Sequence, residues 1–436
     1  MSALAELFAR RGVIVSGCDA SGQGALDLER LGIPVLAGHD PAHVSGVRAV
    51  VVTSAVPRDH PELARARELG VPVIRRAEAL GEAVSSGELV AIAGTHGKTT
   101  TTVMTTEALT AAGLAPTGIA GGRVGAWNGN LSDGSDRLFV VEADEYDRSF
   151  LALTPTIAVV TNCEADHLDI YADLADVRAT FAQFLRPART VILCADDDGA
   201  ASLAAPVAAE VLTYGIRSPS ARLRALDVRL EGVGSRFTAA LDGRALGAVS
   251  LAVPGAHNVL NALAAVASGL SLGATLDRLR PGLERFTGVE RRFQRLGDAR
   301  GVLVVDDYAH HPTEIVATIE AARAAYPGQR LVAAFQPHLF SRTRDFAAEF
   351  GRALALADAV FLTEIYPARE QPMAGVTSDL VARAMPGRAP VWRGDRAALA
   401  EALAGFVRDG DVVLTIGAGD ITRTGPELLE RLGGAA

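Results

Sequence analysis

The chain has 436 residues, of which 49% are hydrophobic and 21% charged, and its formal net charge is −9. That length predicts about two to four domains, and the composition is that of an ordinary folded chain. The acidic balance argues against nucleic acid or an anionic membrane as partner, no apolar stretch is long enough for membrane insertion, and Arg10 and Arg11 interrupt any signal-peptide layout.

Cys18, Cys163 and Cys194 show no metal or redox spacing, which fits a reduced, cytoplasmic setting. Nothing in the composition chooses between monomer and dimer. Of the 42 Lys plus Arg, 41 are arginine and Lys98 is the single lysine.

Taken in order, residues 1–11 read as a helix, with Leu4, Leu7 and Phe8 at i, i+3 and i+4 and Gly12 as its stop. Val13–Gly17 reads as a strand ending at Cys18-Asp19, 47–53 as a strand, 61–69 as a helix and 71–74 as a strand. This is α/β alternation without the first strand and glycine turn of a Rossmann-like unit. The chain therefore reads as beginning inside a βαβ unit, with residues lost ahead of Met1 or an internal methionine taken as the start. The other reading is a domain that begins on a helix. The first domain is expected to span 1–87.

A second domain, 88–294, opens on the apolar run 89–93. Gly94-Thr95-His96-Gly97-Lys98-Thr99-Thr100 and a helix-like run to Ala112 follow. Strand, glycine turn, Lys-Thr and helix form a phosphate-binding layout: backbone N–H groups face the phosphates and the lysine adds a mobile positive charge. Two residues separate the glycines, where the standard loop has four. In a chain that uses arginine everywhere else, a lysine retained here points to a need for the compact ammonium.

Residues 118–129 read as a Gly-rich loop, and 138–141 as a strand ending in Glu142-Ala143-Asp144-Glu145. A strand over 156–161 leads into Asn162-Cys163-Glu164-Ala165-Asp166-His167-Leu168-Asp169. Acidic clusters at strand C-terminal ends lie where ligands bind in open parallel sheets. Thr99, Glu142 and His167 have the donor types to share one or two Mg2+ ions; acidic clusters at strand ends are also common as solvated loops. Strands at 191–195 and 211–214, a hairpin region over 223–253 and a helix from Pro254 complete the domain. Asn258 and Asn261 stand three apart on one helix face. That spacing suits reading a base edge, and equally a cap plus an ordinary polar position.

The third domain, 295–436, is again α/β. Strands at 302–305, 331–335, 360–363 and 412–416 end in Asp306-Asp307-Tyr308-Ala309-His310-His311-Pro312-Thr313-Glu314, Gln336-Pro337-His338-Leu339-Phe340-Ser341-Arg342-Thr343, Glu364 to Glu370 and Gly417 to Asp420. Such an edge suits a small zwitterion, since arginine pairs bidentately with carboxylates.

Together these motifs resemble the Mur ligase family, the ATP-dependent amide ligases of peptidoglycan precursor synthesis, over the whole chain. The motifs that carry the likeness are Gly-Thr-His-Gly-Lys-Thr-Thr-Thr, Glu-Ala-Asp-Glu, Asp-His-Leu-Asp, His-Asn-x-x-Asn-Ala, Arg-Arg-Phe and Asp-Asp-Tyr-Ala-His-His-Pro-Thr-Glu, in the family's order. The last of these, with Gln-Pro-His-x-x-Ser-Arg-Thr, looks most like the alanine-adding members. A glycine-rich first motif ending in Gly-Met-Ser is cut at Met1-Ser2.

The resemblance implies three domains: a Rossmann-like domain lacking its first strand, a central P-loop ATPase-type domain with a mostly parallel sheet, and a C-terminal Rossmann-like α/β domain. It implies ATP, UDP-N-acetylmuramate and L-alanine as substrates and Mg2+ as cofactor. Gly94, Thr95, His96, Gly97, Lys98, Thr99 and Thr100 would hold ATP phosphates, with Asn258 and Asn261 at the adenine end and Arg292 and Asp307 completing the site. Thr99, Glu142 and His167 would bind metal. His310, His338, Tyr308 and Arg342 would form the alanine and acyl-phosphate side, with Lys98, His167, His310 and Arg342 as its catalytic groups. His39 and the Thr53-Ser54-Ala55 turn would contact the UDP part.

Two departures stand out. Some members carry arginine after Gln-Pro-His; here it is Leu339, which leaves Arg342 to act alone. Several relatives hold a second metal with a carbamylated lysine, which a chain whose only lysine is Lys98 cannot do. Two other readings compete: a tripeptide-recycling member of the family, and a nucleotide-binding protein inactive as a ligase for want of the N-terminal glycine loop.

Overall fold

The computed structural model describes residues 1–20, 26–205 and 207–433. They fall into two compact units, one of residues 1–164, 174–223 and 262–282, the other of residues 165–173, 224–261 and 283–436.

The first unit opens on the helix Ser2–Arg10, which buries Leu4 and Leu7. Gly12 takes φ +79°, and the Val13 N–H donates to Phe8 O at 3.0 Å. That 6→1 bond is a Schellman C-cap. It corrects the expected strand over 13–17: Val13 serves the helix end, Ile14 is fully exposed, and β1 is only Gly17–Asp19. β1 pairs in parallel with β2 (Val35–Ala37), and β3 (Val50–Val52) with β4 (Val73–Arg75), as two separate two-stranded sheets.

The larger sheet of this unit has seven strands. They are β5 (Glu88–Ala93), β6 (Pro116–Val124), β7 (Gly129–Ser132), β8 (Ser135–Glu142), β9 (Ile157–Val160), β10 (Thr190–Cys194) and β11 (Glu210–Gly215), in spatial order β11-β10-β9-β5-β8-β6-β7. All neighbours are parallel except β6 and β7. β5, apolar and buried from Leu89 to Ala93, lies in the middle. The chain runs to the β8 side first and then returns through β9 to the other, so the β5 C-terminal end is a topological switch point, where open α/β sheets bind ligands.

The expected Gly-rich loop over 118–129 is instead largely β6 and the start of β7. The glycines are there because neighbours crowd them. A Cβ on Gly118 would sit 2.6 Å from the Thr106 side chain, and one on Gly121 2.7 Å from the Glu142 carboxylate.

The second unit carries β12 (Leu223–Glu231) from its second residue on, and the antiparallel hairpin β13 (Gly234–Leu241) and β14 (Arg244–Leu251). Its main sheet is β15 (Gln294–Ala299), β16 (Val302–Asp307), β17 (Arg330–Phe335), β18 (Ala359–Thr363), β19 (Trp392–Gly394) and β20 (Asp411–Ile416), ordered β15-β16-β20-β17-β18-β19. Only β15 is antiparallel, to β16. Apolar clusters cover both faces, one around Ile315, Phe335 and Phe350, the other around Phe361, Leu399 and Leu428. β16, β17, β18 and β20 therefore read as near-continuous hydrophobic runs, as in parallel sheets buried on both sides. Among the described residues, no helix is long and apolar enough to cross a membrane.

Candidate active site

The loop after β5 is shaped by two glycines and by the end of β9. Gly94 takes φ +140°, and a Cβ there would fall 2.0 Å from Thr161 Oγ1. Gly97, at φ +77°, ends the loop and begins the helix Lys98–Ala111. Between them the His96 N–H donates to Asn162 Oδ1 at 2.7 Å, Thr161 Oγ1 donates to His96 O at 2.5 Å, and the Glu164 N–H donates to Thr95 Oγ1 at 2.9 Å. His96 Nε2 lies 3.4 Å from Glu164 Oε2. Thr161 and Asn162, which the sequence places at the strand end without a site role, brace the cradle. Their one signal was their place just after an apolar run, in register with the loop. Gly94→Ala should cost about 3 kcal/mol or more, combining positive-φ strain with a steric clash. A fall in thermal midpoint with loss of ATP turnover would show it.

Lys98 Nζ donates to Gly94 O at 2.6 Å, Thr95 O at 3.2 Å and Glu145 Oε1 at 3.0 Å. Burial alone would lower the pKa of this ammonium; the carboxylates of Glu145, Asp144 and Glu142 outweigh it and hold the value above the usual lysine range. Thr99 Oγ1 donates to Glu142 Oε1 at 3.0 Å, and Gly121 N–H to Glu142 Oε2 at 2.5 Å. Burial raises the Glu142 pKa, opposed by the Gly121 N–H and Lys98. A threonine hydroxyl beside a carboxylate at the head of the helix is a hard-oxygen donor set that fits Mg2+. Thr95, His96 and Thr100 are buried around the same loop.

In the second unit, the segment 165–173 lies on the polar edge of the main sheet. Arg342 Nε and Nη2 both donate to Asp166 Oδ1, at 3.2 and 2.7 Å, with both side chains buried. Burial would raise the Asp166 carboxyl, but the charge of Arg342 holds it far below the usual carboxylate range. Arg369 Nη2 donates to Asp169 Oδ2 at 3.3 Å. His167, at φ +52°, follows Asp166, its N–H donating to Asp166 Oδ1 at 2.8 Å and its Nε2 lying 3.7 Å from Oδ2.

His310 and His338 meet edge-to-face with ring centroids 6.1 Å apart. The His310 Nδ1 lies 3.1 Å from Tyr308 O. A carbonyl only accepts, so Nδ1 carries the proton and Nε2 keeps its lone pair. Burial pushes the His310 pKa down to about 3 and that of His338 to about 4, so both rings are neutral at pH 7. Arg342 Nη1 reaches His338 Nδ1 at 3.4 Å. Leu339, which caps the Arg342 helix, is buried and takes φ +70°. The structure thus gathers His167, His310, His338 and Arg342 around Asp166, a residue outside the candidate set although it lies inside a quoted motif.

Tyr308 is flanked by two guanidiniums, Arg291 at 4.8 Å and Arg292 at 5.0 Å from its ring centroid. Arg291 is committed to Gly417 O and Asp306, whereas Arg292 meets Glu314 at 3.6 Å. The Asp307 carboxylate accepts from Phe293 N–H and Ala309 N–H, both at 2.8 Å, and burial lifts its pKa to about 6. Asn258 Nδ2 donates to Pro254 O at 2.7 Å, and Asn261 Nδ2 to Asn258 Oδ1 at 3.2 Å. In the first unit, Ala55 N–H donates to Thr53 Oγ1 at 3.0 Å, closing the 53–55 turn around Ser54. His39 lies 3.3 Å from Cys18 Sγ.

Three family profiles match: Mur ligase family, catalytic domain, over residues 1–87; Mur ligase middle domain over 92–269; and Mur ligase, glutamate ligase domain over 291–419. The chain belongs to the Mur ligase family. Within the family it is 49% identical to the UDP-N-acetylmuramate–L-alanine ligase of Acidothermus cellulolyticus, over 99% of this chain and 92% of that protein. It is 50% identical to the enzyme so named from Kineococcus radiotolerans, over 99% and 94%. Among solved structures, the UDP-N-acetylmuramate–alanine ligase of Thermotoga maritima superposes with a TM-score of 0.85 at 29% identity, over 99% of this chain and 96% of that one. The fold is also that of a murein peptide ligase from Psychrobacter arcticus, with a TM-score of 0.73 at 24% identity.

Proposed function

We propose that this chain joins L-alanine to the lactyl carboxylate of UDP-N-acetylmuramate at the expense of ATP, in three functional domains near 1–87, 88–294 and 295–436. The carboxylate oxygen attacks the γ-phosphorus, the P–O bond to ADP breaks, and an acyl phosphate forms. The alanine amine then attacks the acyl carbon, the amine proton departs, and inorganic phosphate leaves. No protein nucleophile is required, so positioning and charge neutralisation carry the rate. Full-length likeness to ligases of that name carries the reading.

In this reading the loop from Gly94 to Thr100 holds the phosphates and Lys98 turns from Glu145 to the transferring group. Thr99 and Glu142 would hold Mg2+, which supplies charge neutralisation on the phosphate oxygens when bound, and His167 would serve a second ion. Arg292 and Asp307 belong to the ATP side, Asn258 and Asn261 to the adenine. The neutral Nε2 of His310, beside Tyr308 and His338, would accept a proton from alanine. The Nε/Nη2 edge of Arg342 is committed to Asp166, and Nη1, which also reaches His338, would meet the alanine carboxylate. His39 and Thr53-Ser54-Ala55 take the UDP part.

The test is ADP release with UDP-N-acetylmuramate against L-Ala, Gly, L-Ser and L-Ala-D-Glu-diaminopimelate. Fastest turnover with L-Ala is expected; turnover only with the tripeptide, or ATP binding without turnover, refutes the reading. Glu142→Gln should raise the Mg2+ concentration needed for half-maximal rate by about 10-fold or more, since a charged ligand is lost. An unchanged Mg2+ titration would remove Glu142 from that role.

A further inference from the structure

A group of metal-ligating side chains stands apart from the phosphate loop, in the first unit. Cys18 in β1, His39 just after β2 and Glu62 at the start of the helix Pro61–Glu68 bring one donor atom each to a common point. Cys18 Sγ is 3.3 Å from His39 Nδ1 and 3.4 Å from Glu62 Oε2, and His39 Nδ1 is 3.4 Å from the same Oε2. Zn–S near 2.3 Å with Zn–N and Zn–O near 2.0 Å gives tetrahedral edges of about 3.3–3.6 Å. The three donors thus form a triangle of the size of one tetrahedral face.

The surroundings fit the same use. The other Glu62 oxygen, Oε1, lies 2.9 Å from His43 Nδ1 and accepts the Asp40 N–H at 3.2 Å. These contacts fix the carboxylate with Oε2 towards His39 and with both oxygens within reach of Cys18 Sγ, Oε1 at 3.2 Å and Oε2 at 3.4 Å, as hydrogen-bonded partners do for metal ligands. His60 packs edge-on against the His39 ring with centroids 4.7 Å apart, and its Nδ1 accepts the Glu62 N–H at 3.3 Å. It thereby fixes the His39 plane and the helix start. Thiol, imidazole and carboxylate from three segments suit Zn2+, whereas an all-oxygen set would suit Mg2+.

We propose that Cys18, His39 and Glu62 form a Zn2+ site with His43 as its positioning residue and water as its fourth ligand; the metal takes the Nδ1 edge of His39, which leaves Nε2 for the UDP part. The cysteine spacing alone could not disclose it, because the other donors come from elements 21 and 44 residues further on.

The full chain, stripped with a chelator and dialysed against Zn2+ in excess Mg2+, should retain one equivalent. Co2+ in its place should give a thiolate-to-cobalt charge-transfer band. Cys18→Ser should abolish the band, and His43→Gln should keep it while weakening the metal about 10–100-fold. Zinc retained equally by Cys18→Ser, or no zinc and no band in the parent chain, overturns the proposal. Should Cys18→Ser fail to fold, alkylation of the parent chain decides: Zn2+ must protect Cys18, the half-exposed cysteine, while Cys163 and Cys194 are buried in either case. Unprotected Cys18 is the opposing result.

Discussion

Lys98→Arg is expected to lower kcat by about 10²–10³-fold or more, the usual cost of removing one aligned charged donor from a transition state, while the folded state persists. The reason is the shape of the socket. Two loop carbonyls and one carboxylate, Gly94 O, Thr95 O and Glu145, converge on a single nitrogen within 2.6 to 3.2 Å. A tetrahedral ammonium can donate in three such directions from one point. A planar guanidinium spreads five donors over a fork and cannot occupy that point. The loop cannot widen to admit it, since Gly94 already touches Thr161 and His96 is held by Asn162. The strand beneath is untouched, so far-UV circular dichroism should match the parent. ADP release under saturating substrates is the measurement, and near-normal turnover would defeat the argument from the solitary lysine.

That lysine was legible because two independent signals agreed, the glycine spacing and the absence of any other lysine. The strands β5, β9, β16, β17, β18 and β20 were legible because burial on both faces leaves continuous apolar runs. β6 was not. Its glycines resemble a loop in sequence, and only the neighbouring Thr106 and Glu142 side chains explain them. Val13–Val15 failed in the opposite direction, as a β-branched run spent on a helix cap with no strand beside it. Within the site, residue types and strand ends were readable, but the division of labour inside a motif was not. Asp166 and His167 are adjacent, as are Arg291 and Arg292, and sequence does not tell which of two neighbours turns inward. Asp166 turns inward to Arg342, and Arg291 is consumed by Gly417 O.

Asp166→Asn should destabilise the second unit by about 3–5 kcal/mol at neutral pH, because it strands the Arg342 guanidinium in a buried site. A paired Asp166→Leu, Arg342→Met variant should recover much of that loss, since apolar replacements of buried ion pairs are often tolerated. The pH profile separates this from general fragility. The folded Asp166 pKa lies far below its unfolded value, so its contribution is present above about pH 3.9 and is lost as pH falls below that. Three histidines of the same unit act earlier. Burial lowers His310 to about 3 and His257 and His338 to about 4. Each is neutral when folded and takes up a proton on unfolding below about pH 6.5. Each therefore removes stability as pH falls from about 6.5 towards its folded value. Thermal midpoints of the parent should fall first between about pH 6.5 and 4 through the histidines, then further below through Asp166. Asp166→Asn should be lower at neutral pH and lack the second decline. A parent midpoint that stays flat from pH 6.5 to 4 would show that these rings are not held neutral in the fold, and the neutral His310 Nε2 assigned to the alanine side would lose its basis.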